Sequence, residues 1–241
     1  MPIYTIIGGV NGSGRSSLTG VLKTLCTDLG VILDVDKLAA AHGGFLEAGR
    51  IALRTMDRLM QERASFTQET TLSGQRPARM ARRARDAGYF VRLYYVGISG
   101  PEEALRRIAN RVAKGGHDIP EEDVRRRYAE RFTALQAVLP YVNEAVFFDN
   151  ENGFVEVAEY RNGELLPKGN YRPAWLEELL RALHFFADDQ RVAEEVEALE
   201  RQDFEAFKRL VIESGHSSFE YLQNIHTADD PRSQSMSLAL C

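Results

Sequence analysis

The chain has 241 residues, enough for one large domain or one domain with an appendage, and its 44% hydrophobic and 27% charged residues are ordinary for a folded globular protein. Cys26 and Cys241 follow no metal-ligand or redox spacing, which argues against a disulfide scaffold and fits a reducing cytoplasm. No apolar run approaches membrane-spanning length, and Met1-Pro2-Ile3-Tyr4 leads into a short strand without a basic leader, so a cytoplasmic chain with no membrane partner is expected.

In chain order, Ile3–Gly8 reads as a strand, followed by a glycine-rich loop and a helix from about Ser16 to Thr27. Val31–Val35 reads as a second strand, and Ala39–Glu62 as a long helix interrupted by Gly43-Gly44. Ser65–Glu69 is a third strand, Arg76–Ala87 a helix, and Phe90–Val96 a strongly apolar fourth strand. Pro101 opens a helix with Glu102 and Glu103 in its first turn, where the helix dipole favours acids. After a polar break at Lys114–Pro120, a single helix is expected from about Glu121 to Leu139. Ala145–Asp149 is the fifth strand, and Phe154–Tyr160 with Glu164–Leu166 forms a hairpin across Arg161-Asn162-Gly163. This alternation predicts an α/β fold of the P-loop NTPase type, a mainly parallel sheet with helices on both faces.

Beyond Pro173 no strand signal appears; Trp175–Leu183, Arg191–Leu199 and Phe204–Glu213 read as helices. The charge changes there too, with 14 acidic and 6 basic residues from Ala174 onward against 21 and 24 before it. A domain of residues 1–180 and an all-helical extension of 181–241 are expected.

Gly9-Val10-Asn11-Gly12-Ser13-Gly14-Arg15-Ser16 fits G-x-x-x-x-G-K-[ST], with Arg15 where lysine is usual. Glycines let successive backbone N–H groups turn inward around phosphate oxygens, and the helix beginning near Arg15 adds its N-terminal dipole. The expected ligand is the triphosphate of ATP or GTP, held by Gly9 to Ser17, with Arg15 neutralising charge and Ser16 ligating Mg²⁺. An arginine binds phosphate through a planar fork rather than as a point charge, so phosphate binding is expected to survive the change more readily than efficient turnover.

In open α/β sheets, ligands sit beyond the carboxyl ends of the strands. Asp34 and Asp36 end the second strand there, and Glu69-Thr70-Thr71 ends the third. Asp36 is the preferred general base toward an acceptor hydroxyl, and Glu69 and Thr71, on one side by alternation, can hold acceptor hydroxyls. The competing reading is that Asp36 caps the next helix and Thr70 or Thr71 caps the helix near Arg76. Arg111, Arg126 and Arg127 flank the Gly115–Pro120 loop, either as a flap that closes over the triphosphate or as a solvated helix face. His117 reads as a loop hydrogen-bonder. The arginines between 76 and 85 lack interleaved aromatics and the chain lacks a basic pI, so no nucleic-acid partner is expected.

Taken together, residues 8–17, Asp34-Val35-Asp36, Gln68-Glu69-Thr70-Thr71-Leu72-Ser73-Gly74 and the Arg111–Pro120 segment resemble the zeta toxin family of P-loop kinases over about residues 1–180. That resemblance implies phosphorylation of a hydroxyl of a small metabolite such as UDP-N-acetylglucosamine or another nucleotide sugar. It implies a base role for Asp36, acceptor contacts for Glu69 and Thr71, and flap roles for Arg111 and Arg127. An antitoxin partner or self-association would fit such a protein. Arg15 departs from the family's lysine, which leaves a nucleotide-binding regulator with little turnover as the alternative. Residues 181–241 resemble a fragment of bacterial galactokinase through segments such as Glu213-Ser214-Gly215-His216-Ser217-Ser218. That family's sugar-binding start and phosphate loop are absent here, so galactose phosphorylation is not expected.

Overall fold

The computed structural model describes residues 1–35, 38, 44–217, 226–227 and 230–234. The chain divides into two compact units, Met1–Leu176 and Glu177–Cys241.

In the first unit, β1 (Ile3–Gly8) is followed by α1 (Arg15–Leu25), β2 (Val31–Leu33), α2 (Phe45–Gln61), β3 (Phe66–Thr70) and α3 (Arg76–Asp86). Then come β4 (Phe90–Gly97), α4 (Pro101–Ala113), α5 (Glu121–Ala129), α6 (Arg131–Val138), β5 (Glu144–Asp149), β6 (Val155–Arg161) and β7 (Glu164–Pro167). The seven strands form one sheet in the order β2-β3-β1-β4-β5-β6-β7. The first five pair in parallel, and β6 and β7 add antiparallel at one edge. Asn162 and Gly163 both hold positive φ, 54° and 89°, as the tight turn between β6 and β7 requires.

Burial explains why β1 sits at the centre. Tyr4, Ile6 and Ile7 are fully buried, as expected of a strand covered on both faces. Ile7 and Val96 pack with Leu18, Leu22 and Leu29, which fixes α1 against the sheet and so fixes the loop that precedes it. At the far end of β4, Gly97 leaves room for Trp175: a Cβ there would lie 2.2 Å from the indole. The indole Nε1–H donates to Asp149 Oδ1 at 2.7 Å, so the two central strand ends and the residue after Ala174 are locked together.

Several boundaries differ from expectation. The β2 strand stops at Leu33 rather than Val35, which leaves Asp34 just past its end. The single helix expected from Glu121 to Leu139 is divided at Glu130, whose ψ of −1° departs from the helical value although its N–H and carbonyl still bond Arg126 and Ala134. Arg131 seals the break by donating to the Tyr128 carbonyl at 2.7 Å and stacking between the Tyr128 and Phe132 rings. The two helices expected at 175–183 and 191–199 belong to one, α7 (Ala174–Glu200), whose apolar residues recur without a breaker. It is followed by α8 (Phe204–Ser217). Two short strands, β8 (His226–Thr227) and β9 (Asp230–Gln234), pair antiparallel in a segment expected to hold none; they are short and polar, without the apolar alternation that signals a strand. Among the described residues, no helix is long and apolar enough to cross a membrane.

Candidate functional site

The site is built where β1 gives way to α1. Gly14, the last residue before α1, holds φ at 102°, and a Cβ there would lie 2.3 Å from Asn150 Nδ2. Only glycine meets both demands. The helix has no side-chain N-cap and no acid in its first turn. Its free N–H groups and positive dipole end therefore remain for an anion. Val10 ties the loop into the core with Ile98, Ala104, Ile108, Val124 and Tyr128, and Asn11 Oδ1 accepts from Arg127 at 2.9 Å.

Two cavities open on this loop. One, of about 310 Å³, is lined by Gly12, Gly14, Ser16, Ser17 and the cations Arg15, Arg107 and Arg111. Among the described residues it has no carboxylate in its wall. The other, of about 640 Å³, lies past the ends of β2 and β3 and is lined by Asp34, Glu69, Thr71, His117 and Arg127 among others. Arg15 lines both, so it stands where the two meet. A pocket whose charged lining residues are all cations suits a triphosphate, and a mixed pocket with acids suits a hydroxylated acceptor.

The expected residues fall as follows. Arg15 Nη1 donates to the Gly9 carbonyl at 2.5 Å. Ser16 Oγ donates to Glu69 Oε2 at 2.7 Å, and Thr19 Oγ1 donates to Glu69 Oε1 at 2.7 Å. Glu69 is thereby 8% exposed and reaches toward the phosphate loop as well as lining the larger cavity. Asp34 is also 8% exposed and lines that cavity. Asp36 lies outside the described residues.

Thr70 and Thr71 do not cap α3, contrary to the competing reading. The residue before that helix is Gln75, with no side-chain cap, and Thr70 Oγ1 instead accepts from Leu72 N–H at 3.1 Å. That bond steadies Leu72 at φ 61° and turns the chain out of β3. Arg111 lines the smaller cavity and donates to the His117 carbonyl at 2.7 Å, which folds the Gly115–Pro120 loop back on α4. Arg127 lines the larger cavity. Arg126 pairs with Asp123 and Glu130 on the exposed side of α5.

Two site residues went unread in the sequence, Arg107 and Asn150. Asn150 follows β5, donates from Nδ2 to the Ser13 carbonyl at 2.7 Å, and accepts from Arg107 at its own carbonyl at 2.5 Å. Arg107 is held from behind by Glu103. Burial alone would raise the Glu103 carboxyl, but Arg106 and Arg107 outweigh it and hold the group below the usual carboxylate range. Their helical spacing of four was a usable signal for the pair, whereas nothing in sequence brings residue 150 to residue 13.

Among the described residues, no cluster of three or more His, Cys, Asp or Glu side chains could hold a metal unaided. The oxygens of Ser16 and Glu69 do fit Mg²⁺, which takes hard oxygen donors and completes its shell with water and phosphate.

The chain is similar to known proteins in sequence and in fold. The family model for zeta toxin matches residues 1–162. An uncharacterized protein of Haemophilus influenzae is 32% identical over 126 residues, covering 50% of this chain and 88% of its own. Among solved structures, the PezAT chromosomal toxin–antitoxin system of Streptococcus pneumoniae is similar at a TM-score of 0.51 and 19% identity, over 74% of this chain and 78% of that one. The AvrRxo1-ORF1:AvrRxo1-ORF2 complex with sulfate ions is similar at a TM-score of 0.55 and 19% identity, over 74% of this chain. This chain spans 63% of that AvrRxo1 chain, less than two thirds of it. None of these matches supports the likeness of residues 181–241 to galactokinase. The match spans more than half of the chain, and the chain belongs to the zeta toxin family.

Proposed function

We propose that this protein transfers the γ-phosphoryl group of ATP or GTP to a hydroxyl of a small metabolite, with UDP-N-acetylglucosamine and other nucleotide sugars as the first acceptors to test. The observation that carries the reading is the meeting of the two cavities at Arg15. A donor in the cationic cavity would present its terminal phosphate to an acceptor in the mixed one, the alignment that in-line transfer needs. A similar fold solved as an AvrRxo1-ORF1:-ORF2 complex with ATP supports a nucleotide donor.

In this reading the loop amides, Arg15 and Arg111 bind and neutralise the phosphates, and Arg127 closes the acceptor side. Thr71 and Asp34 line the wall against which the acceptor rests. Asp36 is the proposed base, on the strength of its place in Asp34-Val35-Asp36. Ser16 and Glu69 would hold Mg²⁺, which when bound neutralises charge on the phosphates. The fold's likeness to two-component complexes supports an antitoxin-like partner or self-association.

Transfer of label from γ-³²P-ATP and γ-³²P-GTP to a panel of nucleotide sugars tests this directly. Labelled product that disappears in Asp36→Asn is expected; tight nucleotide binding with no product across the panel sinks the kinase reading. That second outcome is what a nucleotide-binding regulator would give, a reading favoured by the bond from Arg15 to the Gly9 carbonyl, which engages the cation within its own loop.

A further inference from the structure

Resting on the nucleotide reading above, we propose that Asn150 selects the base of the donor, and that it selects a 6-aminopurine, hence ATP over GTP. Three of its four hydrogen-bonding groups are committed to three different elements. Its N–H donates to the Gly97 carbonyl at the end of β4, at 3.2 Å. Its carbonyl accepts from Arg107 of α4 at 2.5 Å. Its Nδ2 donates to the Ser13 carbonyl of the phosphate loop at 2.7 Å. Backbone and side chain are thus both held, and the residue cannot turn without losing one of these bonds.

The direction of the amide follows from chemistry. A carbonyl only accepts, so nitrogen must face Ser13; the flipped amide would set two oxygens against each other. The fourth group, Oδ1, is therefore fixed on the other side of the amide, and among the described residues no donor reaches it. What remains is a fixed acceptor on a residue that lines the same cavity as Ser17 and Arg107.

Where that acceptor meets the nucleotide decides what it reads. The reacting end of the triphosphate belongs at Arg15, where the donor and acceptor cavities meet. In this proposal the nucleoside end lies away from Arg15, against the part of the wall that Asn150 shares with Ser17 and Arg107. Adenine carries an N–H donor at its 6-position, where guanine carries a carbonyl acceptor. A fixed oxygen pairs with the first and repels the second. Sites built around one polar partner reject the analogue lacking it, because the protein group is left unpaired.

The test is calorimetry on the full chain with Mg²⁺ and three nucleotides: ATP, GTP and purine riboside triphosphate, which differs from ATP only by loss of the 6-amino group. ATP should bind about tenfold more tightly than purine riboside triphosphate, the worth of one good hydrogen bond, and GTP more weakly still. In Asn150→Ala, ATP should fall to the affinity of purine riboside triphosphate, a ratio near one. Equal binding of those two nucleotides by the unaltered chain overturns the proposal, whether or not the variant folds. A variant that keeps the original ratio overturns it as well. If none of the three binds, the nucleotide reading itself fails and takes this inference with it; if all three bind alike, that reading stands and only the role of Asn150 falls.

Discussion

Arg15 differs from the lysine usual at its position in how it spends its donors. A lysine is a compact point charge on a flexible stem and can follow the phosphate during transfer. Arg15 already donates to the Gly9 carbonyl at 2.5 Å, so part of its fork is occupied by the loop that receives the phosphate. Arg15→Lys is expected to leave nucleotide affinity within about threefold while raising single-turnover phosphoryl transfer about tenfold, equivalent to roughly 1.4 kcal/mol at the barrier. A rate that stays level or drops would show that the arginine is the better transition-state partner here. Glu69 poses a separate question, because the family resemblance gives it an acceptor contact and its hydrogen bonds draw it to Ser16 and Thr19. If it orders the metal shell, Glu69→Gln should raise the Mg²⁺ concentration needed for nucleotide binding by about 10- to 100-fold, the usual effect of losing a supporting group. Mn²⁺ titration followed by electron paramagnetic resonance reads this without turnover. A variant with unchanged metal affinity and a raised KM for the acceptor would return Glu69 to the acceptor.

At the scale of elements, the phosphate loop is held by the packing of α1, by the cluster around Val10 and by Asn150, and Trp175 stands behind the last of these. Trp175 is 1% exposed, fills the space left by Gly97, and donates to the buried carboxylate of Asp149, next in chain to Asn150. Trp175→Phe keeps most of the apolar volume but removes the donor, so it should cost about 1–3 kcal/mol in urea unfolding, the penalty of leaving a buried acceptor short of a partner. A loss below about 0.5 kcal/mol would mean that Tyr171, whose hydroxyl lies 3.3 Å from Asp149 Oδ2, suffices alone. The same elements show what could be read beforehand. The loop was legible because glycine spacing, a preceding apolar strand and a following amphipathic helix are all local in sequence. The parallel sheet was legible from the alternation of strand and helix. Asn150 was not, because its role arises only when β5 is laid beside β4 and its next residue meets Ser13 across 137 positions. The break at Glu130 was equally hidden, since the apolar period continues through it and only Arg131 capturing the Tyr128 carbonyl reveals it.

For the whole molecule, the decisive fact is that the compact unit carrying both cavities ends at Leu176, inside a helix that runs on to Glu200. Charge changes character at nearly the same place, from a mildly basic body to an acidic extension. If the first unit holds its own core, a chain ending after Leu183 should bind Mg-ATP within about threefold of full length and melt within a few degrees of it, since a shift of about 1 kcal/mol moves a domain of this size by roughly 2–4 °C. A chain ending at Arg172 should behave very differently, because it loses Trp175 as well as the extension. Deleting a large buried aromatic costs about 3–5 kcal/mol, a sizeable part of the 5–15 kcal/mol by which such domains are stable. The shorter chain should therefore lose nucleotide binding through unfolding, visible as a lost cooperative melt. Equal behaviour of the two truncations would remove Trp175 from the support of the site, and loss of binding in both would show that the phosphate loop depends on residues past 183.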